Sequence, residues 1–162
     1  MLNRLGGTAL AALFVLGACA HEVEAPALEA AEAAPAPVTE TWSVRLFDQT
    51  LGQLVATTEG NIVKVDYEYR NNGRGPTLAE TITLGEDGLP VNWKIDGATT
   101  FGNEVHETFA LADGTASWTD TTGSATAAQT EPTIYIPQNA SPYTLAIYAK
   151  ALLAVQGRNL PA

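Results

Sequence analysis

The most regular feature of the sequence is an alternation of apolar and polar residues with a period of two, which recurs between residues 42 and 120. It is strictest at residues 62–70, where apolar or aromatic residues alternate with charged ones: Val63, Lys64, Val65, Asp66, Tyr67, Glu68, Tyr69 and Arg70. Successive side chains of a strand point to opposite faces of a sheet, whereas a helix repeats every 3.6 residues. The alternation therefore predicts half-buried strands.

The same pattern, interrupted by turn residues, predicts a series of further strands. We expect strands at residues 42–47, 51–57, 62–70, 77–84, 89–95, 99–111, 115–120 and 133–136, and a loop of small polar residues at 121–129. The turns contain glycine, which supplies positive φ angles, and the long strand at 99–111 is expected to kink at Gly102. The predicted fold is mainly β: an antiparallel, curved β-meander sheet.

The last predicted element is a helix at residues 143–156 that packs on this sheet. Ser141 suits the N-cap, Pro142 the first helical position and Gly157 the position after the helix. An apolar stripe at helical spacing is expected to face the sheet. Its members are Leu145, Tyr148, Ala149, Leu152 and Val155.

Residues 1–18 have the organisation of a bacterial signal peptide. Arg4 precedes an apolar run at residues 5–16, which is shorter than the ~20 residues that a membrane-spanning helix needs. The run ends in Leu-Gly-Ala-Cys at residues 16–19, which resembles the lipobox of a lipoprotein signal, so Cys19 is the predicted lipidation site. Ala20 after the cysteine favours the outer membrane, facing the periplasm. The alternative is an ordinary signal peptide cleaved beside Cys19.

Residues 19–41 are rich in Ala, Glu and Pro and contain no Lys or Arg. Such a segment buries too little apolar surface to offset the entropy of ordering it, so we expect an extended acidic tether after the lipidated cysteine. The folded β domain with its C-terminal helix is then expected at residues 42–162. The domain would attach to the membrane through acyl chains and would not span it.

The charge and composition restrict the possible partners. The chain has 8 Lys and Arg residues against 18 Asp and Glu residues, a formal net charge of -10, which argues against nucleic acid as a partner. A single cysteine excludes an intramolecular disulfide. The two histidines, His21 and His106, lie in different regions and do not make a metal site. We therefore predict no metal and no cofactor in this chain.

Two glutamates are the candidate catalytic residues. Glu80 and Glu107 each share a strand face with apolar residues, which are Leu78 and Ile82, and Val105 and Phe109. Two inward carboxylates could form an acid–base pair with a raised pKa, as in glycoside hydrolysis. His106 would point to the opposite face from Glu107. The structural alternative is that the glutamates lie at a sheet edge or pair with a cation, namely Arg70, Arg74 or Lys94.

Several motifs resemble a known protein family. They are Val-Asp-Tyr at 65–67, Asn-Gly-Arg-Gly-Pro at 72–76, Glu80, Asp-Gly-Leu-Pro at 87–90, Glu107, Asp-Gly at 113–114, Ala-Ser-Trp at 116–118, Ala-Ser-Pro at 140–142 and Tyr-Ala-Lys-Ala-Leu-Leu at 148–153. Together they look like the segment that precedes the catalytic barrel in secreted or lipid-anchored bacterial amidohydrolase-family proteins. The resemblance covers most of residues 42–160. It implies a longer protein whose barrel carries the metal-dependent hydrolysis.

The resemblance transfers no catalytic residue to this chain, because none of the family's metal ligands matches a position here. It implies that this chain is a non-catalytic accessory domain that packs against the barrel. The alternative is a stand-alone lipoprotein that binds an apolar small molecule or lipid in its curved sheet. Six aromatic residues on the predicted strands would form either the core or the wall of such a binding site: Tyr67, Tyr69, Trp93, Phe101, Phe109 and Trp118. A third hypothesis is an independent enzyme that uses Glu80 and Glu107.

Overall fold

The computed structural model describes residues 35–129, 131 and 133–154. These residues form eight strands and one helix: β1 (Val38–Leu46), β2 (Gln49–Glu59), β3 (Ile62–Tyr69), β4 (Thr77–Leu84), β5 (Pro90–Ala98), β6 (Glu104–Ala112), β7 (Thr115–Asp120), β8 (Gly123–Ala128) and α1 (Tyr143–Ala154). The strands lie in chain order in one curved, unclosed antiparallel sheet, which confirms the predicted fold class. The predicted signal peptide, Cys19, His21 and the tether as far as residue 34 lie outside the described residues.

The period of two divides the sheet into a buried concave face and an exposed convex face. In β3, Val63 and Val65 are buried, whereas Lys64 and Asp66 are exposed. The most completely buried large side chains come from the concave face of the central strands: Trp93, Ile82, Ile95, Glu107, Val63, Val65 and Val105. The hydrophobic core therefore lies between this concave face and the helix that covers it.

α1 packs on the concave face through residues that are four positions apart. Tyr143, Ile147 and Ala151 are its buried residues, and the Tyr143 ring lies 5.7 Å from that of Trp42 in β1. The predicted stripe is wrong at Leu145, which is 73% exposed, and at Ala149, which is also exposed. Tyr148 packs against the core as expected, and Val155 lies outside the described residues. The helix is apolar on nearly every side, so its sequence does not indicate which side faces the sheet.

One loop prediction and one strand prediction near the end of the sheet are wrong. Residues 123–128, expected to be part of a loop, form β8, which pairs with β7 although its sequence, Gly-Ser-Ala-Thr-Ala-Ala, has no apolar alternation. Residues 133–136, expected to be a strand, have no regular structure. The hydroxyl group of Tyr135 in this stretch donates to Glu107. That contact belongs to a loop crossing the concave face and not to a strand ladder.

The predicted strand at residues 99–111 is also shorter than expected. β5 continues to Ala98, and residues 99–103 make a turn in which the Gly102 N–H donates to the Thr99 carbonyl over 2.9 Å. Gly102 has a φ of 85°, so the chain turns between β5 and β6 instead of continuing as one kinked strand. Phe101, expected among the core or slot aromatics, lies in this turn and is 78% exposed.

The first strand begins at Val38, four residues before the position predicted from the alternation. The additional strand residues include Glu40, which contacts the helix. Its Oε2 accepts from the Tyr143 hydroxyl over 3.4 Å and lies 3.7 Å from the Lys150 ammonium group. Among the residues that the structure describes, no helix has the length and apolar character needed to cross a bilayer.

Candidate functional site

β4 and β6 place Glu80 and Glu107 on the buried concave face, as the alternation predicted. Each glutamate is 2% exposed. Both lie opposite Ile95 of β5, so the two are in one row across three strands and roughly 10 Å apart at the backbone. His106 lies on the convex face, where its Nδ1 is 3.0 Å from the Asp96 carboxylate. The structure therefore brings the two glutamates to one face and leaves the histidine on the other.

Glu107 binds the segment that leads into the helix, residues 135–141. Its Oε1 accepts from the Tyr135 hydroxyl over 2.7 Å and from the Gln138 backbone N–H over 2.9 Å. Its Oε2 accepts from the Asn139 backbone N–H over 3.2 Å. One carboxylate thus satisfies three donors of a segment that has no strand partner.

Glu80 binds the residue at which the helix begins. Its Oε1 accepts from the backbone N–H of Ser141, and its Oε2 accepts from the Trp93 indole N–H over 3.1 Å. The Ser141 hydroxyl in turn accepts from the Tyr143 N–H over 3.3 Å, which is the N-cap contact predicted from the sequence. Glu80 therefore links β4 directly to the first turn of α1.

The physical reason for two buried carboxylates is the backbone of the 135–141 segment. Buried backbone N–H groups need acceptors, and the carbonyl groups of the interior strands are already paired within the sheet. Side-chain carboxylates rising from the sheet supply the missing acceptors. The expectation that the glutamates lie at an edge or pair with Arg70, Arg74 or Lys94 is wrong, since β4 and β6 are interior strands and Lys94 pairs with Asp96 at 2.6 Å.

Burial sets the electrostatics of this pair. Burial raises the pKa of the Glu80 carboxyl above its usual range, and the charge of Glu107 adds to that rise, while the hydrogen bonds from Ser141 and Trp93 oppose it. Burial and the hydrogen bond to Glu107 also raise the pKa of Tyr135, so this phenol stays protonated and remains a donor. Every carboxylate oxygen of the pair accepts at least one hydrogen bond from the protein. The geometry favours holding the 135–141 segment in place.

The side of α1 that faces away from the sheet forms a second feature. Leu145, Ala149 and Leu153 follow one another at four-residue spacing, and we refer to them as the outer face of α1. Leu145 is 73% exposed and Leu153 is 66% exposed. An isolated exposed leucine is ordinary, but an unbroken apolar row on a helix that already buries its opposite side is not.

A third feature is a cleft of about 380 Å³ at the β6–β8 end of the concave face. Phe109, Trp118 and Tyr135 supply aromatic walls, and Asp120 lies on its lining. We refer to it as the β7 cleft. Small residues on the concave side of the last strands, Ala116 and Ala127, leave this space unfilled.

Comparisons with known proteins give no match: no protein-family model, no curated protein and no solved structure matches this chain. Within the described residues, no group of three or more His, Cys, Asp or Glu side chains is arranged to hold a metal ion.

Sequence reasoning placed both glutamates correctly but missed their partners and the outer face of α1. The partners of Glu80 and Glu107 lie between 28 and 61 residues further along the chain, except for Trp93. One local signal was available, because Ser141 and Pro142 predicted a helix start whose N–H groups would need acceptors. Nothing in the sequence indicated that the acceptors would come from β4 and β6.

Proposed function

We propose that this chain is a non-catalytic accessory domain that docks onto another domain or protein of the bacterial envelope through the outer face of α1. The observation that carries the proposal is the exposed row formed by Leu145, Ala149 and Leu153. Burying each leucine against a partner would contribute on the order of 2 kcal/mol of binding free energy before association costs. A row of this kind is the usual core of a helix-mediated interface.

The two buried glutamates support the same proposal. They fix the segment before α1 and the N-cap residue to interior strands, which gives the helix a defined position relative to the sheet. A rigidly held helix loses little conformational entropy when it docks, so more of the apolar burial appears as affinity. We infer that Glu80 and Glu107 position the docking helix and do not carry out catalysis.

The partner that we propose is a catalytic barrel of the amidohydrolase type. This choice rests on the resemblance of residues 42–160 to the region that precedes such a barrel. In this proposal the accessory domain covers part of the barrel and shapes access to its site. A stop codon directly after codon 162 in the intact gene would contradict a barrel that follows in the same chain.

The docking proposal is tested with paired charge substitutions. Leu145→Lys combined with Leu153→Lys should weaken binding of the chain to a barrel domain encoded downstream by at least about tenfold, measured by calorimetry. A matched control carries Thr81→Lys and Thr108→Lys, which are exposed on the convex face. Equal affinity of the two double variants would contradict docking through α1, and unchanged melting temperatures of the free chains would show that folding is intact.

We further propose that Cys19 carries the lipid that attaches the domain to the outer membrane. The support is the order of the charged, apolar and small residues in the first nineteen positions. Cys19→Ser should release the protein from the membrane fraction and abolish incorporation of radiolabelled palmitate. A Cys19→Ser protein that still takes up palmitate and sediments with membranes would refute this assignment.

The hypothesis of a lipid held at the centre of the curved sheet has less support from the geometry. The concave face of the central strands is occupied by the core side chains and by α1, since Ile82 and Val105 have no exposed surface. A lipid chain there would have to displace the helix. The space that remains open lies at one end of the sheet.

A further inference from the structure

The β7 cleft has the chemistry of a ligand site at the end of the sheet that α1 leaves uncovered. Its volume of about 380 Å³ falls within the range of small-molecule pockets. One wall is the concave face of β6–β8, and the other is the segment at residues 133–138. The Thr121 hydroxyl donates to the Gln138 side chain over 3.0 Å, which ties that segment to the turn after β7.

Three aromatic rings contribute to the lining of the cleft. The rings of Phe109 and Tyr135 stack with their centroids 4.3 Å apart and their planes 10° from parallel. Tyr135 is held in that position because its hydroxyl donates to Glu107. Trp118 adds a third aromatic surface from the next strand. Aromatic rings in the lining give a flat apolar group surfaces to pack against.

The charge on the lining is negative. Asp120 lies two positions after Trp118 on β7, so both side chains point to the same face of the sheet. Hydrogen bonds from the hydroxyl and the backbone N–H of Thr122 lower the pKa of Asp120, which keeps this carboxylate ionised. No Lys, Arg or His among the described residues lines the cleft, and no described cation forms an ion pair with Asp120.

We propose that the β7 cleft binds a small organic cation, an aromatic or aliphatic body that carries an amine or quaternary ammonium group. The body packs on the Phe109–Tyr135 stack, and the charged nitrogen lies between the face of Trp118 and the carboxylate of Asp120. An indole ring is the best aromatic partner for a cation, and a nearby carboxylate adds direct attraction. An anion of the same shape would be repelled. This site is independent of the docking proposed for α1.

The test compares three soluble probes of similar shape on the full chain: 2-phenylethylammonium, the neutral 2-phenylethanol and the anionic 3-phenylpropionate. Binding is measured by chemical-shift changes at the Trp118 indole N–H in nuclear magnetic resonance titrations. We expect the cation to bind at least about tenfold more tightly than the alcohol, and the anion to bind most weakly. Equal affinities for all three probes, or no shift with the cation, would overturn the proposal.

A single isosteric substitution separates charge recognition from packing. Asp120→Asn keeps the acceptor for Thr122 and should weaken binding of 2-phenylethylammonium by about five- to tenfold while leaving 2-phenylethanol unchanged. Asp66→Asn, on the exposed convex face of β3, makes the same charge change away from the cleft and should alter neither affinity. Equal losses of affinity for 2-phenylethylammonium in Asp120→Asn and Asp66→Asn would show a general effect of the protein's charge and would also overturn the proposed site.

Discussion

At the scale of single residues, the defining feature is a pair of buried carboxylates that act as acceptors for a loop. Glu80 and Glu107 would be destabilising on a buried face without partners, since ionised groups lose hydration there. Their neighbours compensate with five hydrogen bonds, three of which come from backbone N–H groups in the 135–141 segment. Hydrogen bonds to the loop therefore replace the hydrogen bonds to water that the two glutamates lose on burial, and they attach a loop that pairs with no strand.

Removing the Glu107 carboxylate should detach this loop. Glu107→Ala leaves the Tyr135 hydroxyl and two backbone N–H groups without their acceptor, and we expect the free energy of unfolding to fall by about 3 kcal/mol. Glu107→Gln retains one acceptor oxygen and should lose about half as much. Urea denaturation measures both variants. Glu59→Ala, at the exposed end of β2, is the control and should change stability by less than about 0.5 kcal/mol.

Stability should also depend on pH through Glu80. Burial raises the pKa of Glu80 above its usual value of 4.5, so the folded protein holds this proton more tightly than the unfolded chain. The stability that Glu80 contributes is full below the unfolded pKa and is lost as pH rises through the folded pKa.

Glu80→Gln cannot ionise, so its free energy of unfolding should improve relative to the wild type as pH rises from about 4.5 towards neutrality. Denaturant titrations at several pH values give this difference directly. The exposed substitution Glu59→Gln should show no such trend. A difference between Glu80→Gln and the wild type that stays constant with pH would contradict the burial of an ionisable group at this position.

At the scale of elements, the helix is the part whose environment differs most between its two sides. Tyr143, Ile147 and Ala151 face the sheet, and the opposite row is equally apolar but exposed. Because both sides of the helix are apolar, they differ in how deeply their side chains are buried and not in residue type. The stability of the isolated chain should therefore depend on only one of the two rows.

Alanine substitutions at matched positions test this assignment. Ile147→Ala removes a side chain that is 3% exposed and should lower the free energy of unfolding by about 2–4 kcal/mol. Leu145→Ala lies two positions earlier on the outer face and should change it by less than about 0.5 kcal/mol. Thermal denaturation followed by circular dichroism compares the two. A larger loss of stability for Leu145→Ala than for Ile147→Ala would contradict the assigned orientation of the helix.

How far the sequence predicts an element depends on how strongly its two faces differ. β3 alternates apolar and charged residues, and its bounds agree with the prediction to within one residue. β8 contains only Gly, Ser, Ala and Thr, so it shows no alternation of apolar and polar residues. Its pairing with β7 is made by the backbone, which the sequence pattern does not reveal. The buried side of α1 was mispredicted at Leu145 and Ala149 for the same reason, since both sides are apolar. The glutamates were placed correctly because the period of two fixes a face, but their distant partners follow from the tertiary fold.

At the scale of the whole molecule, an open sheet with one helix leaves two kinds of surface available. The convex face is polar and carries exposed ion pairs, such as Lys94 with Asp96. The opposite side presents the outer face of α1 and, at the β6–β8 end, the β7 cleft.

Docking through α1 requires that a partner covers the outer face of α1 in the native protein. Hydroxyl-radical footprinting tests it most directly, because it reports the solvent exposure of individual side chains. The native membrane is compared with the purified 162-residue chain, with Phe47 and Phe101, which are 93% and 78% exposed, as internal references.

We predict that oxidation of Leu145 and Leu153 falls at least about fivefold in the native membrane relative to the purified chain, while Phe47 and Phe101 react equally in both. Equal oxidation of Leu145 and Leu153 in the two samples would contradict docking through the outer face of α1.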